Sequence, residues 1–120
     1  MTTYTVAEAN ELLPYLAPVL VELREKYELA MQIQERLEGA AVTNGGSKHR
    51  ERWQKTLTRV QELMDRMNDW NIEVRDLGSG LVDFPSRRGD SDVWLCWRMG
   101  EPEVAYWHGR DEGFSSRRAL

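Results

Sequence analysis

Apolar residues recur at alternating steps of four and three through the first third of the chain, at Ala9, Leu13, Leu16, Leu20, Leu23, Tyr27, Ala30, Gln34 and Leu37. Only Gln34 interrupts this seam, whose period is that of one helix packed along another. Thr5-Val6-Ala7-Glu8 stands just ahead of it with the residues of a capping box, so a helix is predicted to start at Val6. Pro14 and Pro18 fall inside the pattern. Each removes an amide donor and crowds the preceding turn, which predicts a short helix, a bend and then a long helix to about Gly39. Ala41 to Ser47, with Asn44-Gly45-Gly46 at its centre, reads as a flexible loop. A second seam, Trp53, Leu57, Val60, Met64 and Met67, predicts a helix to about Trp70 lying antiparallel on the first.

After Trp70 the period shortens to that of strands: Ile72 to Asp76, Leu81 to Phe84, Val93 to Arg98 and Val104 to His108. Gly78-Ser79-Gly80, Pro85 to Asp92 and Met99-Gly100-Glu101-Pro102 separate them. The expected fold class is α+β. A long antiparallel helical hairpin (5–70), its first helix kinked at the prolines, is followed by a small three- to four-stranded antiparallel sheet and tail (71–120), all in a single domain, 1–120. If the last two strands pair around a four-residue turn, Arg98 faces Glu103, Trp97 faces Val104, Cys96 faces Ala105, Trp94 faces Trp107 and Val93 faces His108. Both faces of that sheet are apolar, so both need cover. The hairpin can cover one. The tail Gly113 to Leu120 or a second subunit covers the other, and the long seams add to the expectation of a homo-oligomer, most simply a dimer.

Charge and composition narrow the partners. Net charge is −4 and the pI is near 5.2, which argues against a general binder of nucleic acid or anionic membrane. No apolar run has the roughly 20 residues needed to span a bilayer. One cysteine makes no internal disulfide, and Met1-Thr2-Thr3-Tyr4 is not the start of a secretory signal, so the expected location is cytoplasmic.

Candidate chemistry concentrates in Trp94 to His108, which holds three of the five tryptophans, the lone cysteine and one of the two histidines. His108 with Asp111, Glu112, Asp83 or Glu103 could form a metal or acid–base site for a divalent ion such as zinc, manganese or iron. His108 and Asp111, three apart beyond a strand end, could share one ion. On the expected register Cys96 and His108 lie on opposite faces, so a thiolate–imidazole pair is disfavoured and Cys96 reads as a buried structural residue. Asp83, between Val82 and Phe84, reads as partly buried and paired with Arg75 or Arg98. Arg87, Arg88, Arg110 and Arg117 could form a positive rim for an anion or for nucleic acid. Residues 71–120 carry seven basic against nine acidic side chains, however, which favours a mixed, solvated surface. No phosphate-binding glycine loop, hydrolase triad or paired-cysteine motif is present.

Four motifs resemble one family. They are Tyr4-Thr5-Val6-Ala7-Glu8-Ala9-Asn10-Glu11-Leu12-Leu13-Pro14, Ile72-Glu73-Val74-Arg75-Asp76, Gly80-Leu81-Val82-Asp83-Phe84-Pro85, and Leu95-Cys96-Trp97-Arg98-Met99-Gly100-Glu101 running into Tyr106-Trp107-His108, with Gly113-Phe114 and Arg117 beyond. They are similar to those of domain of unknown function 2203. Asn71 stands where similar proteins usually carry glycine. The resemblance spans nearly the whole chain and implies a shared fold, with no activity or catalytic residue to carry over. The residues favour a homo-oligomeric interaction or small-ligand-binding module without intrinsic catalysis. The alternative is a metal-binding protein or metal-dependent enzyme centred on His108, and a third reading is anion or nucleic-acid binding through the arginine rim.

Overall fold

The structure is a computed structural model and describes residues 3–39 and 46–120. Two long helices, α1 (Val6–Gly39) and α2 (Gly46–Asp69), precede strands β1 (Glu73–Asp76), β2 (Leu81–Arg88), β3 (Ser91–Arg98), β4 (Tyr106–Gly109) and β5 (Arg118–Ala119). The strands form one antiparallel sheet in the order β1-β2-β3-β4-β5. Most of the expected loop, residues 41–45, lies outside the described residues.

The capping box forms as its residues predict: the Thr5 amide donates to Glu8 Oε1 at 2.9 Å and the Glu8 amide to Thr5 Oγ1 at 3.1 Å. The helix then runs through Pro14 and Pro18 as one element instead of dividing into a short and a long helix. The reason is tertiary. Ala9, Leu16, Leu20 and Leu23 are buried in a core shared with Leu63 and Met67 of α2 and with Val82, Phe84, Leu95 and Trp97 of the sheet. Burying side chains on both sides of each proline offsets the roughly 3 kcal/mol that an interior proline costs. Farther along, Ile33 is buried in place of its neighbour Gln34, which stays exposed. Across the hairpin Arg59 forms a fork, donating to both carboxylate oxygens of Glu22 at 2.6 and 2.8 Å.

The helix-to-sheet junction is a Schellman closure. The Ile72 amide donates to Met67 O at 3.0 Å and the Asn71 amide to Asn68 O at 2.9 Å, with Asn71 at φ 60°. Met67 and Ile72, which flank the closure, are both buried. This left-handed position explains why glycine suits it and why asparagine is the tolerated substitute. Asn71→Gly is therefore expected to leave stability unchanged or slightly raised, and Asn71→Ala to lower it by about 1 kcal/mol. Urea midpoints at constant slope would measure both. An alanine variant as stable as the wild type would remove the backbone explanation.

Three sheet features differ from expectation. The segment from Pro85 to Asp92 is not a loop, because β2 continues to Arg88 and turns through Gly89-Asp90, with Gly89 at φ 64°. β1 is too short to flank Pro85, and the Tyr4 amide donates to Pro85 O at 2.7 Å, so the segment before α1 runs along this part of β2. The sheet has five strands instead of three or four. β5 is two residues long and leaves no alternation to detect.

The third difference matters most. β3 and β4 pair one residue out of the expected register, with Val93 opposite Gly109, Trp94 opposite His108, Leu95 opposite Trp107 and Cys96 opposite Tyr106. The expected Arg98–Glu103 pair does not form. Instead the Glu101 carboxylate accepts from the Arg98 amide at 2.7 Å, and the Val104 amide donates to Asn10 Oδ1 of α1 at 2.7 Å. Pro102 has no amide to offer. The connection thus stays out of the ladder until Tyr106, and a shift of one residue turns every β4 side chain to the other face. Trp107 joins Val93, Leu95 and Trp97 on the helix-covered face, while Tyr106 and His108 join Trp94 and Cys96 on the opposite face. The tail lies against that second face at Tyr106 and Cys96, through Arg117.

Candidate functional site

Asp83 of β2, Cys96 of β3 and His108 of β4 share the second face, since Cys96 is opposite Asp83 and one pleat away from His108. All three are buried, and their ligand-capable atoms lie within 4.8 Å of one another. This corrects the sequence-based expectation that Cys96 and His108 occupy opposite faces.

Hydrogen bonds set the orientation of each group. His108 Nδ1 donates to the carbonyl of Gly109 at 2.9 Å, which turns Nε2 inward to 3.0 Å from Asp83 Oδ2. With its one proton spent on Gly109, a neutral ring presents a lone pair to a carboxylate lone pair. A cation must stand between them, either a proton on Nε2 or a metal ion. Two ligands at 2.0–2.1 Å from a tetrahedral ion lie about 3.3 Å apart, so the observed separation is close to that of ligands sharing one ion. Arg75 Nε donates to the same Oδ2 at 2.9 Å and fixes the carboxylate from outside. Asp83 Oδ1 is buried and has no hydrogen-bond partner among the described residues.

The Cys96 thiol is pushed up to about 12, chiefly by burial and then by the Asp83 charge, with Arg117 acting in the opposite sense. It is therefore a thiol, not a thiolate, at neutral pH, and no nucleophile as it stands. Arg117 clamps the edge of the site. It donates to Glu101 at 2.6 Å and to Cys96 O at 3.3 Å, and its guanidinium lies 4.1 Å from the Tyr106 ring centre. Burial alone would raise Glu101, but the bonds from Arg117 and the Arg98 amide outweigh it and hold the carboxyl below the usual range.

The three donors open onto a cavity of about 310 Å³ whose outer wall is Arg110 to Phe114. The metal candidates named from sequence therefore separate. Asp83 and His108 meet, whereas Asp111 and Glu112 lie on the cavity wall. Glu112 there accepts from the Gly109 amide at 2.9 Å and from Arg118 at 3.2 Å. Glu103 lies in a separate groove beside Asn10 and Leu13. The third member of the cluster is Cys96, which the sequence alone reads as a buried structural residue. The arginine rim also divides: Arg87 faces Asp92 at 3.8 Å, Arg88 covers Trp107, Arg110 covers Trp94 and Arg117 holds Glu101.

No helix among the described residues is long and apolar enough to cross a membrane. A family model described as "Uncharacterized conserved protein (DUF2203)" matches residues 2–120, essentially the whole chain. No curated protein and no solved structure matches it.

Proposed function

We propose that this chain, which belongs to the DUF2203 family, binds one divalent transition-metal ion of the zinc class through Asp83, Cys96 and His108. The observation that carries this reading is the outward Nδ1 bond to Gly109 O, which aims Nε2 at a buried carboxylate and a buried thiol. Metal-bound imidazoles are usually held by just such a second hydrogen bond. A mixed sulfur, nitrogen and oxygen donor set suits zinc, with iron or cobalt able to occupy the same geometry. The unpartnered Asp83 Oδ1 is a ready ligand, and Arg75 keeps its carboxylate in place. Three protein ligands facing a cavity describe a site with one position open, the arrangement of ions that act on a bound water or ligand and not of closed structural sites.

Protein purified without chelator is expected to carry close to one equivalent of zinc, iron or cobalt by elemental mass spectrometry. Cobalt substitution of the wild type should give a near-ultraviolet thiolate-to-metal band that is absent from Cys96→Ala, and His108→Ala should retain little metal. Circular dichroism of each variant separates loss of a ligand from loss of the fold. A folded wild type that stays metal-free and gives no cobalt spectrum would overturn the reading and leave Asp83, His108 and Arg75 as a structural ion network.

A further inference from the structure

Beyond its ligands, the cavity carries an unusual pair of cations. Arg75 and Arg110 both lie against the indole of Trp94, their guanidinium carbons 4.7 and 4.1 Å from its ring centre. Trp94 is on the same sheet face as Cys96 and His108, so it brings both cations to the cavity. Stacking on an aromatic ring holds a guanidinium flat and leaves its N–H edge free to bond. Arg75 spends that edge on Asp83. Arg110 does not: among the described residues it has no hydrogen-bonding or ionic partner, although it is half-buried.

The surrounding charges do not supply one. Glu112 is engaged by the Gly109 amide and Arg118, and Asp83 by Arg75 and His108. Asp111, on the same wall, is exposed and makes no ion pair among the described residues. Once a divalent ion is balanced by the Asp83 carboxylate and the Cys96 thiolate, two guanidiniums remain against that one exposed carboxylate. A positive, partly enclosed pocket with an open metal position and an unspent guanidinium edge is built for an anion. A guanidinium pairs two oxygens of a phosphate while a third reaches the ion, and it bonds one oxygen of a carboxylate while the other reaches the ion.

Resting on the metal reading above, we infer that the cavity binds a small oxyanion, a carboxylate or phosphate group, between the metal at Asp83, Cys96 and His108 and the guanidinium of Arg110. At about 310 Å³ the cavity is at the small end of ligand pockets, so the anionic group and a short body fit while a polymer does not.

The test uses cobalt-loaded protein titrated with inorganic phosphate, acetate and, as an uncharged control, acetamide, at constant ionic strength. One of the anions is expected to shift the visible cobalt spectrum saturably, and acetamide to leave it unchanged. Arg110→Gln should take up cobalt with wild-type stoichiometry and bind that anion about tenfold or more weakly. A response to phosphate alone assigns a phosphoryl ligand, and a response to acetate alone a carboxylate. If cobalt binds but neither anion shifts its spectrum, or Arg110→Gln binds the anion as tightly as the wild type, this inference fails and the metal reading stands. If the folded protein takes up no cobalt, both fall together.

Discussion

Metal affinity is expected to tighten about tenfold for each pH unit through the neutral range on account of Cys96 alone, or about 100-fold between pH 6 and pH 8. The sign follows from the thiol. Burial first and the Asp83 charge second raise it from its ordinary 9.0 to about 12, so the metal-free protein holds the Cys96 proton throughout that range. A metal ion takes the thiolate and must expel that proton, and mass action then favours binding as pH rises. Titrations in buffers of different ionisation enthalpy would count the protons released. Cys96→Ala should bind more weakly and release one proton fewer. Equal slopes for wild type and variant would remove Cys96 from the ligand set. Without metal the same shift acts on folding. The unfolded thiol ionises near 9 and the folded one near 12, so this contribution to stability is complete below pH 9 and is lost as pH rises through about 12.

The second large effect concerns the ion network itself. In chelator, Asp83→Leu is expected to destabilise the fold by about 3 kcal/mol or more, because it leaves the inward nitrogen of His108 facing hydrocarbon. The side chains of Asp83 and His108 are each only 2% exposed, so water cannot replace the lost partner. Arg75, at 42%, can turn to solvent and should add little to the loss. The double variant Asp83→Leu with His108→Leu should recover most of the stability, since removing a whole buried pair costs far less than orphaning one member. Chemical denaturation of the four proteins of this cycle would measure the coupling. Additive losses would mean that the 3.0 Å contact contributes nothing to folding, and that the two residues are held for the metal alone.

Much of the fold was legible because it rests on local chemistry. The Thr5–Glu8 cap, the two heptad seams and the sheet-forming second half follow from hydrogen-bonding groups a few residues apart and from side-chain period. Arg75 as the partner of Asp83 was also within reach, because β1 and β2 adjoin through a short turn. The site was not legible in full. Asp83, Cys96 and His108 come from three strands, and the register of β3 against β4 decides whether they meet.

The observed register differs by one residue from the one that a four-residue turn implies. The register expected from sequence sets Arg98 opposite Glu103, two exposed charges whose attraction is small. A better signal was available in the polarity of the faces. With Cys96 opposite Tyr106, the large hydrophobic residues Val93, Leu95, Trp97 and Trp107 share one face, while the thiol of Cys96, the phenol of Tyr106 and the imidazole of His108 fall on the other. Burial of one apolar face is worth more than a surface ion pair.

What the amino-acid order determined by itself was the set of elements and their amphipathic faces, because helix period, capping and turn chemistry act over a few residues. The tertiary structure decided three things that no local rule reaches. Core packing carried α1 through Pro14 and Pro18, the Asn10 side chain took the Val104 amide and so delayed β4, and the resulting shift of one residue gathered a carboxylate, a thiol and an imidazole on one buried face. Each depends on contacts between residues far apart in the chain, whose energies are realised only when the helices and the sheet are already in place.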